Sequence, residues 1–230
     1  MEISLAEVPK LTPTTPTKPS CRTCTAGDSS IHNRSMSSIT KVEALPEAFE
    51  EAVTEIKGYK PLMIGLDTKT QLESEMVSII TICVPDTMTY IFEINKIWKT
   101  YSELPPGLIR LLQSPHIIKV MFDPVSRSEQ LKGYGIRFDG VIDVRAAARV
   151  RGHNKTGVDS LAKALFRTYQ RSEHWRKRKF FIQTKWAENV SDDMARYTGS
   201  RAYLALVIYN ALCAQPLVPF DAPSTDIRVS

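Results

Sequence analysis

The sequence predicts an α/β fold in which a mixed β-sheet, with three antiparallel strands plus parallel strands, is flanked by helices. Three apolar stretches follow one another over residues 60–68, 76–84 and 89–94, and the turn PDTM between the last two is typical of a hairpin. From residue 106 onward, helical and strand-like stretches alternate, which favours strands joined by helices that cover both faces of the sheet. The 230 residues, 43% of them hydrophobic, are enough for one sizeable core.

The chain divides into a tail, one domain and a short extension. Residues 1–38 are rich in Ser, Thr and Pro and poor in large apolar residues, so we expect a disordered tail. Residues 39–216 form the predicted domain, and residues 217–230 form a C-terminal extension.

The domain is predicted to begin with a helix that stops at Gly58. Its apolar side chains recur at helical spacing: Val42, Leu45, Phe49, Val53 and Ile56. The three strands come next. The remaining predicted elements are a helix over 106–113, a strand over 116–122, a helix over 124–135, a strand over 138–142 and helices over 143–152, 157–169 and 191–212. Ser191 is placed to cap the last helix, and Asp192 and Asp193 suit the positive end of its dipole.

Composition excludes several classes of protein. No run of eighteen apolar residues occurs, so we expect no membrane span and no membrane partner. The N-terminus lacks the pattern of a signal peptide, and four irregularly spaced cysteines favour reduced thiols in an intracellular protein of the cytoplasm or nucleus. A net charge of +5 is compatible with a phosphate-bearing partner.

Several motifs in one order carry a resemblance to a known family. They are IGLDTKT, VSIITICVPDTMTYIFEI, LLQSPHIIKVMFDPVSRSEQL, GIRFDGVIDVRAAARVRG, GVDSLAKALF and ARYTGSRAYLALVIYNAL, spread over residues 42–214. In this order the chain resembles the DEDD 3′–5′ exonucleases, in the RNase D-like branch of the ribonuclease H-like superfamily. The resemblance implies a ribonuclease H-like sheet.

The resemblance also implies a site in which four carboxylates bind two Mg²⁺ or Mn²⁺ ions for phosphodiester hydrolysis. The first aspartate of that pattern falls on Asp67. The glutamate falls on Lys69, the aspartate of the second motif on Arg127, and the last aspartate on Arg201. The tyrosine that orients the attacking water in the family falls on Tyr197. One carboxylate of four is retained, and three positions carry cations.

This substitution pattern predicts a pocket without a metal cofactor and without catalysis, because a divalent ion would face three cations and a single carboxylate ligand. Which residue takes the aspartate position of the second motif depends on the register of the comparison, since the carboxylates Asp123 and Glu129 lie near Arg127. A shift of two residues turns a helical side chain by about 200°, away from the site. Asp67 is then either a remnant paired with Arg127 or Arg201, or part of a cationic pocket that binds phosphate without cleaving it.

A basic segment with aromatic residues among its cations runs over residues 171–186. Its candidate nucleic-acid-binding residues are Arg171, Trp175, Arg176, Lys177, Arg178, Lys179 and Lys185, together with Lys69, Arg127 and Arg201 of the pocket. Such a composition suits single-stranded RNA or DNA, because cations contact the backbone and rings stack on bases. A solvated basic loop, or a docking surface for an acidic partner, is the alternative.

The sequence therefore favours a catalytically inactive 3′–5′ exonuclease-like protein that acts as an RNA-binding or adaptor module in RNA metabolism or silencing. Two alternatives stay open. One is a protein–protein scaffold, as a homodimer or in a hetero-complex, that binds no nucleic acid. The other is an active metal-dependent exonuclease with a rearranged site.

Overall fold

The computed structural model describes residues 38–70, 76–167, 169, 186 and 189–217, and it has the predicted mixed α/β architecture. One six-stranded sheet has the spatial order β1-β4-β3-β2-β5-β6. Its strands are β1 (Ser38–Val42), β2 (Met63–Thr70), β3 (Val77–Cys83), β4 (Met88–Phe92), β5 (Ile118–Met121) and β6 (Val141–Asp143).

The middle of the sheet is antiparallel and its two sides are parallel. Strand β3 pairs antiparallel with both β2 and β4. On one side β2 pairs in parallel with β5, and β5 with β6; on the other side β1 pairs in parallel with β4. The predicted fold class, three antiparallel strands plus parallel strands between helices, is confirmed.

Helices cover both faces of this sheet. They are α1 (Pro46–Gly58), α2 (Ile94–Tyr101), α3 (Pro106–Gln113), α4 (Pro124–Leu131), α5 (Val144–Arg149), α6 (Val158–Leu165) and α7 (Asp192–Cys213), with a 3-10 turn (Lys132–Tyr134) after α4. The first face packs against α1, α2 and α3, and the second face against α5, α6 and α7. No helix in the described part of the chain is long and apolar enough to cross a bilayer.

The alternation of side chains along β2 decides what lies on each face. Ile64 and Leu66 are buried in the first core, under α1–α3. Gly65 and Asp67 point to the second face, where α7 lies. The sheet therefore presents Asp67 to the long C-terminal helix.

Helix α7 begins as the sequence predicts. The Ser191 hydroxyl accepts a hydrogen bond from the backbone N–H of Met194 at 3.3 Å. Asp192 and Asp193 occupy the first turn, where the helix dipole favours negative charge.

Two elements differ from the prediction. The first helix was predicted to include Val42, but Val42 is the last residue of strand β1, and α1 begins at Pro46. Helix α2 was not predicted, and it starts at Ile94, which the sequence placed in the third strand. Strand β1 forms because it pairs with β4, and no sequence pattern within residues 38–42 indicates this pairing.

Candidate functional site

The candidate site centres on Asp67, a carboxylate inside the second face of the sheet. Its side chain is 10% exposed, and that of Lys69 is 12% exposed. Residues two apart on a strand point to the same face, which brings Lys69 beside Asp67. An irregularity in the β2–β3 pairing follows at once, between Lys69 and Thr70, and such bulges are common beside functional sites because they re-aim a side chain.

Both oxygens of the Asp67 carboxylate are engaged by the protein. Oδ1 accepts a hydrogen bond from Nε of Arg201 at 3.0 Å. Oδ2 accepts from the Lys69 ammonium, and from the Thr198 hydroxyl at 3.0 Å. The Thr198 and Thr81 hydroxyls lie 2.8 Å apart, which ties α7 to β3 beneath the ion pairs.

The charges of the cluster change one another's titration. Burial would raise the pKa of Asp67, but Lys69 and Arg201 outweigh it and hold the pKa at about 2. For Lys69, burial lowers the pKa, Asp67 opposes this, and Arg201 and Arg127 lower it further, to about 7. For Arg201, burial alone would lower the pKa, but Asp67 and Tyr197 raise it. Asp67 therefore stays ionised, while Lys69 titrates near neutral pH.

Two aromatic rings line the cationic cluster. The rings of Trp186 and Tyr197 are stacked with centroids 6.4 Å apart. The Lys69 ammonium lies 5.1 Å from the Tyr197 centroid and 5.8 Å from the Trp186 centroid, within the range of cation–π attraction. Asp67, the two cations and the two rings thus form one continuous cluster.

Arg127 lies on α4, close enough to affect the titration of Lys69. Its Nη1 donates to the Gln130 side chain at 3.0 Å, and in the described part of the chain it is not a hydrogen-bond partner of Asp67. Glu129, the alternative for the second motif, is exposed and pairs with Lys132. Asp123 lies at the start of α4, 3.6 Å from Arg145. Neither carboxylate contacts Asp67.

The family model described as 3′–5′ exonuclease matches residues 42–215. This span contains strands β2 to β6 and the last residue of β1. The chain belongs to the 3′–5′ exonuclease family. A search of curated proteins finds no match.

Solved structures of RNase D share the fold of this exonuclease-family chain. RNase D of Trypanosoma brucei matches with a TM-score of 0.63 at 18% identity, over 79% of this chain and 67% of that one. The same enzyme in complex with RNA U12 matches with a TM-score of 0.63 at 19% identity, over 82% and 68%. A structure described as the apo form of the nuclease gives a TM-score of 0.57 at 16% identity, over 77% and 79%. The predicted resemblance is confirmed.

The two metal ions that the family implies do not fit the residues of this site. Divalent metals require several oxygen ligands, and the oxygens of Asp67 already accept from Lys69, Arg201 and Thr198. Among the described residues, no group of three or more His, Cys, Asp or Glu side chains could hold a metal. An anion, in contrast, meets an excess of positive charge here.

The structure brings Asp67, Lys69, Tyr197 and Arg201 together, with Arg127 at the edge of the cluster. Sequence reasoning missed Thr198 and Thr81, although Thr198 directly follows the predicted Tyr197. Trp186, the end of the basic aromatic segment, also belongs to the cluster. The other predicted nucleic-acid-binding residues lie outside the described residues: Arg171, Trp175, Arg176, Lys177, Arg178, Lys179 and Lys185.

Proposed function

We propose that this exonuclease-family protein binds single-stranded RNA without cleaving it, and that it serves as an RNA-binding or adaptor module. One observation carries the proposal: both oxygens of Asp67, the one retained carboxylate, are occupied by protein donors. Hydrolysis in this family depends on metal ions that activate water, and at Asp67 a metal would compete with Lys69, Arg201 and Thr198 for the carboxylate oxygens.

The charge of the site supports phosphate as its ligand. Asp67 balances only one of the three cations Lys69, Arg127 and Arg201, so the formal charge of the cluster is +2. Arg127 differs from the other two in that it is half-buried without being part of the Asp67 ion pairs, so its charge is not balanced by that carboxylate. A guanidinium is well suited to phosphate oxygens, since its planar fork donates two parallel hydrogen bonds.

The composition of the basic segment 171–186 supports a single strand over a duplex. Trp186 ends the basic segment 171–186, and its ring stacks on Tyr197 beside Lys69. A basic segment that ends at the cationic cluster would supply backbone contacts along a strand. Trp186 and Tyr197 are buried in the core, so the stacking on unstacked bases would come from Trp175, Phe180 and Phe181 of the same segment. RNA U12 is bound by the RNase D of Trypanosoma brucei, which has the same fold.

The test combines binding and trimming in one assay on the full chain. RNA labelled at the 5′ end, and separately at the 3′ end, is incubated with Mg²⁺, Mn²⁺ or chelator at two salt concentrations. We expect intact strands and binding that weakens steeply with salt, as counterion release requires. Metal-dependent shortening would make the protein an active exonuclease, and the absence of binding would leave a protein scaffold.

A matched pair of substitutions locates the binding site. Arg127→Gln removes the half-buried cation of α4. We expect it to weaken binding to all RNA sequences alike and to reduce the slope of log affinity against log salt concentration by about one. Arg110→Gln removes an exposed arginine of α3, which packs on the first face of the sheet, away from Asp67. Equal effects of the two substitutions would place RNA elsewhere on the protein.

A further inference from the structure

A second surface, on the face of the sheet opposite Asp67, has the opposite charge. A groove of about 900 Å³ opens between α1, the end of α2 and the start of α3. Glu47, Glu50 and Glu103 line it, and its lining in the described part of the chain includes no lysine or arginine. On a protein with a net charge of +5, this acidic groove is a local exception.

Aromatic rings and prolines form the walls of the groove. Trp98 and Tyr134 meet edge to face, with centroids 4.9 Å apart and planes at 89°. Tyr101 is 43% exposed, and Pro105 and Pro106 also line the groove. Aromatic-lined grooves bind proline-rich segments in the polyproline II conformation, which is already extended and loses little entropy on binding.

The acidic residues of the groove have separate roles. Glu50 accepts a hydrogen bond from the backbone N–H of Gly107 at 2.6 Å, so it is used in holding α3 against α1. Glu47 and Glu103 are exposed at the rim. A ligand of this groove would therefore combine prolines with positive charge.

A segment with this composition lies in the N-terminal region of the same chain, outside the described residues. Residues 8–22 read VPKLTPTTPTKPSCR and contain Lys10, Lys18 and Arg22 with no acidic residue. Pro13, Pro16 and Pro19 are spaced by three. Polyproline II has three residues per turn, so in that conformation these prolines would lie along one edge at intervals of about 9 Å.

We infer that the groove between α1, α2 and α3 binds residues 8–22 of this same chain as a polyproline II helix. The prolines pack between Trp98, Tyr101 and Pro105, and Lys10 and Lys18 pair with Glu47 and Glu103. The cationic face around Asp67 stays free, because the groove lies on the other side of the sheet.

The length of the connection permits this arrangement. Pro46, which lines the groove, follows Ser38 by eight residues, so the two lie no more than about 29 Å apart. Residues 23–37 connect the segment to Ser38, and at about 3.3 Å per residue they can extend over roughly 50 Å. The segment can therefore reach the groove of its own chain with length to spare.

The experiment uses zero-length carbodiimide cross-linking of the full chain, followed by digestion and mass spectrometry. The reagent joins a lysine amine to a carboxylate in direct contact. We expect amide links from Lys10 or Lys18 to Glu47 or Glu103. The link between Lys41 and Asp192, whose Nζ and Oδ1 lie 2.8 Å apart, is the internal standard.

A control variant and an isotope mixture make the result decisive. Replacing Pro13, Pro16 and Pro19 by glycine leaves every lysine and every described element in place, and we expect the tail-to-groove links to fall at least fivefold relative to the standard. Links that persist in this variant, or that are absent while the standard forms, would overturn the inference. In a mixture of ¹⁴N-labelled and ¹⁵N-labelled protein, a cross-link within one chain joins two peptides of the same isotope. Cross-links that join a ¹⁴N peptide to a ¹⁵N peptide would show binding between chains and would overturn binding within one chain.

Discussion

At the scale of single residues, the Asp67 carboxylate is the negative charge with which the cations of the site pair. Its partners Lys69 and Arg201 are 12% and 16% exposed, so all three charges are largely withdrawn from water. Removing one member of a buried ion pair leaves the other charge uncompensated, which costs more than the pair contributes. The stability of the domain is therefore coupled to Asp67.

Asp67→Asn tests this coupling. The amide cannot balance Lys69 and Arg201, and we expect the free energy of unfolding to fall by about 3–5 kcal/mol in urea titrations. Asp86→Asn is the control, because Asp86 is exposed in the β3–β4 turn and should change stability by less than about 0.5 kcal/mol. Similar stabilities for the two variants would mean that the ion pairs contribute nothing to the fold.

The lowered pKa of Lys69, about 7, predicts a pH dependence of RNA binding. A lysine is charged below its pKa, so positive charge at the site decreases as pH rises from about 6 to about 8. We expect affinity for single-stranded RNA to decrease over that interval by up to roughly tenfold, the value of one charged hydrogen bond. Fluorescence anisotropy at fixed ionic strength measures it.

Lys69→Arg supplies the control, since arginine does not lose its proton in this range. The variant should bind with a flatter pH profile than the natural chain. A profile of the same slope in both proteins would assign the titration to another group, such as a histidine.

The residues of the site differ in how far the sequence could predict them. Asp67, Lys69, Tyr197 and Arg201 occupy motif positions, so the order of motifs brings them together. Thr198 was not predictable in the same way, because its contact with Asp67 depends on how α7 rotates against β2 and β3, over 131 residues of separation. The pairing of Lys69 with Asp67 follows from strand alternation once β2 is recognised.

At the scale of elements, the approach of α7 to β2 depends on Gly65. A Cβ built at Gly65 would lie 2.1 Å from the backbone oxygen of Ala202 in α7. Backbone cannot move aside as the end of a side chain can, so the helix would shift away from the strand. Thr198 and Arg201 are on this helix, and their contacts with Asp67 would lengthen with it.

Gly65→Ala should therefore destabilise the domain by about 1–3 kcal/mol or more, as overpacking does. Gly58→Ala is its matched control, since a Cβ there meets nothing within 4 Å at the end of α1. We expect that variant to be neutral or slightly stabilising, because alanine has the higher helix propensity. Thermal unfolding measures both variants, and we expect Gly65→Ala to melt at the lower temperature. Equal melting temperatures would contradict the close packing of α7 on β2 at Gly65.

The two unpredicted elements lack local signals. In β1 only Val42 is buried, and the strand exists because it pairs with β4, far along the chain. In α2 the first residue follows Glu93 without a side-chain cap, and the helix ends at Ser102 in a left-handed conformation where glycine is usual. Long, capped and strongly patterned elements such as α7 were predictable, since their signals lie within the element.

At the scale of the whole molecule, the sheet separates two surfaces of opposite charge. The cationic cluster lies under α7 on one face, and the acidic groove lies among α1, α2 and α3 on the other. A nucleic acid with its negative backbone would be attracted to the first surface and repelled by the second. Both surfaces could be occupied at once.

The predicted loss of metal binding can be measured on the whole domain without an activity assay. A ligand that binds only the folded state increases the free energy of unfolding, by about 2.7 kcal/mol at a ligand concentration one hundred times its dissociation constant. The melting temperature rises as a consequence. We expect Mn²⁺ to leave the melting temperature of the natural chain unchanged relative to NaCl of equal ionic strength, since Lys69 and Arg201 occupy the carboxylate oxygens of Asp67.

The triple variant with Lys69→Glu, Arg127→Asp and Arg201→Asp has carboxylates at all four positions of the family pattern. Without metal, four neighbouring negative charges repel one another, so this protein should melt below the natural chain in chelator. Added Mn²⁺ should then raise its melting temperature by several degrees, because the ions neutralise that repulsion. A rise in the natural chain alone would show that the metal has other ligands, and the argument from Asp67 would fail with it.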